Sequence, residues 1–344
     1  MSSASVTVAA VQASSVFLDR AASVERACGL IEEAARGGAK LAVFPEAFIP
    51  GYPLWVWFIP SGQTHALRTL YAELHANSIS VASPEVTRLA EAAADCGITV
   101  AMGINEINTE ASASTLYNTI LYLGSDGRLL GKHRKLIPTA GERLVWGQGP
   151  EGDLKVFETS VGRLGGLICW ENYMPLARYT LIAQGEQIHA APTWDRGEPW
   201  ISSMRHIAKE GRCFVVGACQ AFHKDDIPDR LEFKNTFLRD VTGWINPGLS
   251  VIVDPDGKIV AGPLDAQTGI LYAEIQPHQL IGPRWQLDIA GHYSRPDIFQ
   301  LRMNRSSRSQ LDVRDTPEGD DVAIPTDSTF ESGGGGSGGE SNVI

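Results

Sequence analysis

The segment 5–46 already narrows the fold. SVTVAAVQ at 5–12 is an apolar run, 21–36 follows a helical pattern closed by Gly37 and Gly38, and KLAVFPE occupies 40–46. Strand, helix and strand at this spacing form a βαβ unit, which requires two parallel strands and a sheet face covered by the helix. The rhythm returns later in the chain. RLGGLICW (163–170), a helix over 175–184, IHAAPT (188–193), a helix over 200–211 and CFVVGAC (213–219) repeat the alternation. Between these blocks a helix is expected over 85–96, with strands over 98–106, 114–124 and 129–135. The last two flank the turn at 125–128, and 250–263 reads as another hairpin. Alternation mixed with hairpins predicts an α/β fold with a mixed sheet.

The apolar runs are all too short to span a bilayer, which takes about 20 residues. Composition agrees with a globular body: 43% of the 344 residues are hydrophobic and 20% are charged. The formal net charge of −11 is unevenly spread, because residues 309–344 carry eight acids and one arginine. The rest is nearly balanced and shows no basic stripe, so neither nucleic acid nor a membrane is expected as a partner. Residues 1–305 read as one domain. Residues 306–344, with the run ESGGGGSGGES, read as an acidic, Gly/Ser-rich tail with too little apolar surface to order itself. The amino terminus shows no secretory signal pattern, so the cytoplasm is the expected location. Five cysteines without a CxxC pair, and eight histidines without HxH or HExxH, give no support to a disulfide framework or a metal site.

Three positions carry potential chemistry. Cys169 stands at the carboxyl end of an apolar strand before a helix, where a nucleophile would be exposed, although a lone cysteine is more often structural. Glu46 closes another buried strand, at the edge where open α/β sheets hold ligands, or is simply a solvated strand end. Lys135 ends KHRK, which by itself reads as a solvated basic cluster.

Taken together, FPEAFIPGYP (44–53), GKHRKLIPTAGERLVWGQG (131–149) and GRLGGLICWEN (162–172) resemble the three catalytic blocks of the nitrilase superfamily in sequence, order and spacing. CWEN followed by MPLARY resembles the nitrilase branch rather than the amidase or carbamoylase branches. MRHIAKEGRCFV (204–215) and GHYSRPDIFQL (291–301) extend the similarity over nearly all of 5–303. The resemblance implies a four-layer α-β-β-α sandwich with Glu46 as proton acceptor, Lys135 as charge stabiliser and Cys169 as nucleophile. Glu142 matches the family's second glutamate, in a supporting role. It also implies a homo-oligomer, of a kind that can stack into spirals or filaments.

The chemistry stands on its own reasoning as well. A nitrile carbon is a poor electrophile and needs a strong, soft nucleophile. A nearby ammonium favours the thiolate, and a carboxylate can move protons between sulfur, nitrogen and water. The implied product is a carboxylic acid with ammonia, through a thioimidate and a thioester. The partners are then a small-molecule nitrile and water, with no cofactor. Tyr52, Trp170, Thr193 and Trp194 are candidates to line an aromatic pocket, which favours an organic nitrile over cyanide. The alternatives are an amidase or cyanide-hydrolysing enzyme of the same fold, and a catalytically silent scaffold. Cys28, Cys96, Cys213, Cys219, His206 and His292 are expected to be structural.

Overall fold

The computed structural model describes residues 5–149 and 153–304, so the tail expected from residue 306 lies outside the described residues. The first half runs β1 (Val6–Gln12), α1 (Arg20–Arg36), β2 (Ala39–Val43), α2 (Thr64–Asn77), α3 (Pro84–Cys96), β3 (Thr99–Ile107), β4 (Leu116–Leu123) and β5 (Leu129–Arg134). The second half runs β6 (Phe157–Thr159), β7 (Gly162–Gly166), α4 (Pro175–Ala183), β8 (Ile188–Thr193), α5 (Glu198–Gly211) and β9 (Phe214–Cys219). It continues through β10 (Ala221–His223), β11 (Trp244–Val253), β12 (Ile259–Asp265) and β13 (Gly269–Ile275).

These strands form two mixed sheets. One has six strands in the order β13-β1-β2-β3-β4-β5. The other has seven, β10-β11-β9-β8-β7-β6 with β12 beside β11. The two-residue period of β1 shows how they stack. Val8 and Ala10 point into a core shared with Leu164, Ile188 and Val216 of the second sheet. Ala9 and Val11 point the other way, into a core with Val24 and Ile31 of α1 and Leu89 of α3. On the far side, Trp200 and Met204 of α5 pack against Val215 and Val251. Helices, sheet, sheet and helices are thus the four layers of an α-β-β-α sandwich. Strands buried on both faces explain the near-continuous apolar runs.

The structure departs from expectation in three places, the first of them at the site. The strand read over 163–170 ends at Gly166, and Cys169–Tyr173 is a short 3₁₀ turn instead. The helix α2 and the edge strand β13 are additions to the elements expected from the sequence. β13 pairs antiparallel with β1, Val6 opposite Ile275, across almost the whole chain. No helix among the described residues is long and apolar enough to cross a membrane.

Candidate active site

Three loops just beyond strand ends converge. Glu46 follows β2, Lys135 follows β5, and Cys169 follows β7 after Leu167 and Ile168. The first loop is pressed onto β3 at Gly103, where an added Cβ would lie 2.0 Å from the Pro45 carbonyl oxygen. Only a glycine lets the chain before Glu46 come that close. Gly165 serves β7 similarly, since a Cβ there would lie 2.2 Å from Glu186 Oε1. Cys169 itself has φ 52°, a left-handed conformation unusual for a side-chain-bearing residue and held only by its surroundings.

Lys135 Nζ donates to Glu46 Oε1 and to Glu142 Oε2, both at 2.7 Å. Asn118 Nδ2 donates to Glu46 Oε1 at 2.7 Å, and the Trp194 backbone N–H donates to Oε2 at 2.8 Å. Glu142 also accepts from the Tyr52 hydroxyl at 2.7 Å, and Tyr52 in turn accepts from Trp57 Nε1 at 3.0 Å. One carboxylate oxygen each from Glu46 and Glu142 and the Cys169 sulfur lie within 4.8 Å of one another. That spacing would suit a metal ion, but the Lys135 ammonium already bridges the two carboxylates and supplies the cation.

All four groups are buried, and burial is the largest single influence on the acidity of Glu46, Cys169 and Lys135. It pushes the Glu46 carboxyl up to about 7, with Glu142 adding to the rise and Lys135 opposing it. It pushes the Cys169 thiol well above its ordinary value, assisted by the charge of Glu46 and opposed by Lys135 and the Thr193 hydroxyl. For Lys135, burial works against the ammonium, but the charges of Glu46, of Cys169 when it is ionised, and of Glu142 outweigh it and raise its pKa. Lys135 does favour the thiolate, as expected, but burial and the charges of Glu46 and Glu142 outweigh it. The surroundings thus favour the thiol over the thiolate, so a sulfur that attacked a substrate would have to give up its proton. Glu46, with an acidity close to neutral, is suited to accept it.

Cys169 and Glu142 open onto a cavity of about 310 Å³ whose walls include Tyr52, Trp57, Phe58, Trp170, Trp194 and Ile245. Tyr52 and Trp194 stack with ring centres 4.4 Å apart. A roomier groove of about 510 Å³, along α2 and residues 230–237, contains none of these groups.

A carbon-nitrogen hydrolase family model matches residues 7–282. The chain belongs to the carbon-nitrogen hydrolase family. Nitrilase 2 of Arabidopsis thaliana is 42% identical over 315 residues, which cover 90% of this chain and 92% of the relative. An aliphatic nitrilase of Sinorhizobium fredii is 42% identical over 308 residues, covering 89% and 98% respectively. The crystal structure of Saccharomyces cerevisiae Nit3, a member of branch 10 of the nitrilase superfamily, shares the fold with a TM-score of 0.65 at 24% identity, covering 84% of this chain and 96% of that one.

In this hydrolase the sequence-derived candidates Glu46, Lys135, Glu142 and Cys169 are brought together. Tyr52, Trp170 and Trp194 line the cavity, whereas Thr193 is not among its lining residues and instead touches the Cys169 sulfur. Trp170 stands half-exposed at the mouth, donating from Nε1 to Asp195 Oδ2 at 2.8 Å. His206 and His292 are exposed and outside the cavity. Sequence reasoning passed over Asn118, Trp57, Phe58, Asp195 and Ile245. Asn118 left a signal as an amide in the middle of the apolar strand STLYNTILYLG, and Trp57 and Phe58 left one as aromatic residues of the loop after Glu46.

Proposed function

We propose that this hydrolase is a nitrilase that converts an organic nitrile to its carboxylic acid and ammonia. The observation that carries the reading is a buried thiol close to two carboxylates that share one ammonium, at the wall of an aromatic cavity. Glu46 accepts the Cys169 proton as sulfur attacks the nitrile carbon, and the nitrogen is protonated to give a thioimidate. Lys135 stabilises the charge that develops on nitrogen and oxygen, while Glu142, itself held by the Tyr52 hydroxyl, keeps the ammonium in place. Water activated by Glu46 adds to the thioimidate, ammonia leaves, and a second water hydrolyses the thioester and restores the thiol.

The volume of about 310 Å³ lies at the lower end of small-molecule sites, roughly 300–1,000 Å³, and its aromatic walls suit an apolar or aryl-bearing nitrile. Cyanide would leave most of it unfilled. The proposal extends to a catalytic domain within 1–305 and to a homo-oligomer. What supports the oligomer is the exposure of Trp285 at 79% and Phe299 at 77%. Five free cysteines suit a reducing compartment such as the cytoplasm.

The test is ammonia release, with product analysis, on a panel of aliphatic, aromatic and arylacetic nitriles. Acid as the main product supports the reading, amide as the sole product points to hydration, and turnover of cyanide alone overturns the organic substrate class. Light scattering tests the assembly.

A further inference from the structure

Lys135 and Cys169 belong to different sheets, since β5 ends one and β7 lies in the other. Ladder hydrogen bonds therefore do not set the distance between them. The Glu171 carboxylate crosses this gap. Its Oε1 accepts from the backbone N–H of Leu136, the residue after Lys135, at 2.7 Å. Its Oε2 accepts from the N–H of Ile168, the residue before Cys169, also at 2.7 Å. His133 Nε2 lies 2.9 Å from Oε2 and 3.1 Å from Oε1, and both side chains are buried.

We propose that Glu171, backed by His133, is a positioning residue that clamps the segment bearing Lys135 to the segment bearing Cys169 and so fixes the ammonium against the sulfur. The proposal rests on the nitrilase reading for its catalytic consequence. Glu171 is not among the residues lining the cavity, so it acts through its neighbours. A carboxylate is required by the donors it meets. Two backbone N–H groups need two acceptor oxygens, and an amide would turn its own NH₂ towards one of them. The charge is compensated locally: burial disfavours the His133 cation, but the charge and hydrogen bond of Glu171 outweigh that and raise its pKa. The clamp also holds the corner at which Cys169 adopts φ 52°.

The experiment compares the full chain with Glu171→Gln, Glu171→Asp and the remote core variant Leu89→Ala. Active sites are counted by thiol titration with and without nitrile protection, and kcat is expressed per counted site. A misplacement of about 1 Å costs on the order of 10²-fold, so Glu171→Gln should lower kcat per site by about that factor with KM little changed. Leu89→Ala should lower the melting temperature and leave kcat per site unaltered. The same samples are alkylated with iodoacetamide across pH, with the Cys169 peptide followed by mass spectrometry. The midpoint should move upward in Glu171→Gln as the ammonium is released from its position.

Wild-type kcat per site, or an unmoved midpoint, in Glu171→Gln overturns the clamp. If that variant does not fold, Glu171→Asp is judged by the same two readouts, since it keeps the charge but shortens the reach. The alkylation arm needs no nitrile. It decides the clamp even if the wild type releases no ammonia from any nitrile, the separate result that would overturn the nitrilase reading.

Discussion

Glu46 and Glu106 are both buried carboxylates of the first sheet region, yet their surroundings give them opposite properties. Glu106, on β3, accepts from Arg134 Nε and Nη2 at 3.0 and 2.7 Å, from Lys132 Nζ at 2.6 Å and from the Thr119 hydroxyl at 2.8 Å. Burial would raise its pKa, but the hydrogen bonds and charges of the two cations outweigh it and lower it. Glu46 shares a single ammonium with Glu142 and faces a thiol, so burial wins and its carboxyl moves up to about 7. Two cations around one carboxylate make a permanently charged brace. One cation shared by two carboxylates leaves an acid that can exchange a proton near neutral pH.

Removing the atom that Glu46 serves should have the largest effect. Cys169→Ala is expected to reduce ammonia release to background with an unchanged circular dichroism spectrum, while Cys28→Ala keeps most of the rate. Substantial turnover by Cys169→Ala would place the chemistry elsewhere.

The direct contrast comes next. Glu46→Gln and Lys135→Met should each lose at least ~10²–10⁴-fold in kcat/KM, the usual worth of general acid–base catalysis. Glu106→Gln should leave kcat per folded molecule close to normal. It should instead destabilise by about 3–5 kcal/mol, because Arg134 and Lys132 are left facing a neutral amide. Equal rate losses in Glu46→Gln and Glu106→Gln would erase the distinction.

Acidity sharpens it. Glu46 must be ionised to accept a proton, so kcat/KM should rise with pH through about 7, and Glu46→Gln should lack that limb. The two groups also affect stability with opposite sign. With its folded pKa above the ordinary 4.5, the Glu46 contribution is fully present below 4.5 and is lost as pH rises through about 7. With its folded pKa below 4.5, the Glu106 contribution is present above 4.5 and is lost on acidification. Chemical denaturation across pH of the two glutamine variants reads both slopes.

The smallest effect is expected at the mouth of the cavity. Trp170→Phe gives up the bond to Asp195, worth about 1 kcal/mol, so KM for an aryl nitrile should change roughly fivefold with little change in kcat. A large fall in kcat would move Trp170 from the wall into the machinery.

Some of what the structure contains was readable but passed over. Leu67, Leu70, Tyr71 and Leu74 carry the spacing of α2, although Gln63 offers no side-chain cap to announce it. Other features had no local trace. The apolar run through Leu167 and Ile168 looks like continuing strand, and nothing in its composition marks the turn after Gly166. β13 is half-buried, and its pairing with β1 depends on a contact between the two ends of the described chain.

By itself the sequence determined the alternation of strands and helices, and its motifs pointed to the two-sheet sandwich and to Glu46, Lys135, Glu142 and Cys169 as neighbours in one site. The alternation follows from periodicity, whereas the sandwich and the four residues follow from the motifs' resemblance to the nitrilase superfamily. Only the tertiary structure decided that Asn118 and the Trp194 backbone N–H would hold Glu46. It alone decided that burial would push the Cys169 thiol up and that the Glu171 carboxylate would accept from the backbone of both Leu136 and Ile168. Those properties depend on which charges share a buried space and on how far water is kept from them, and residues distant in sequence set both.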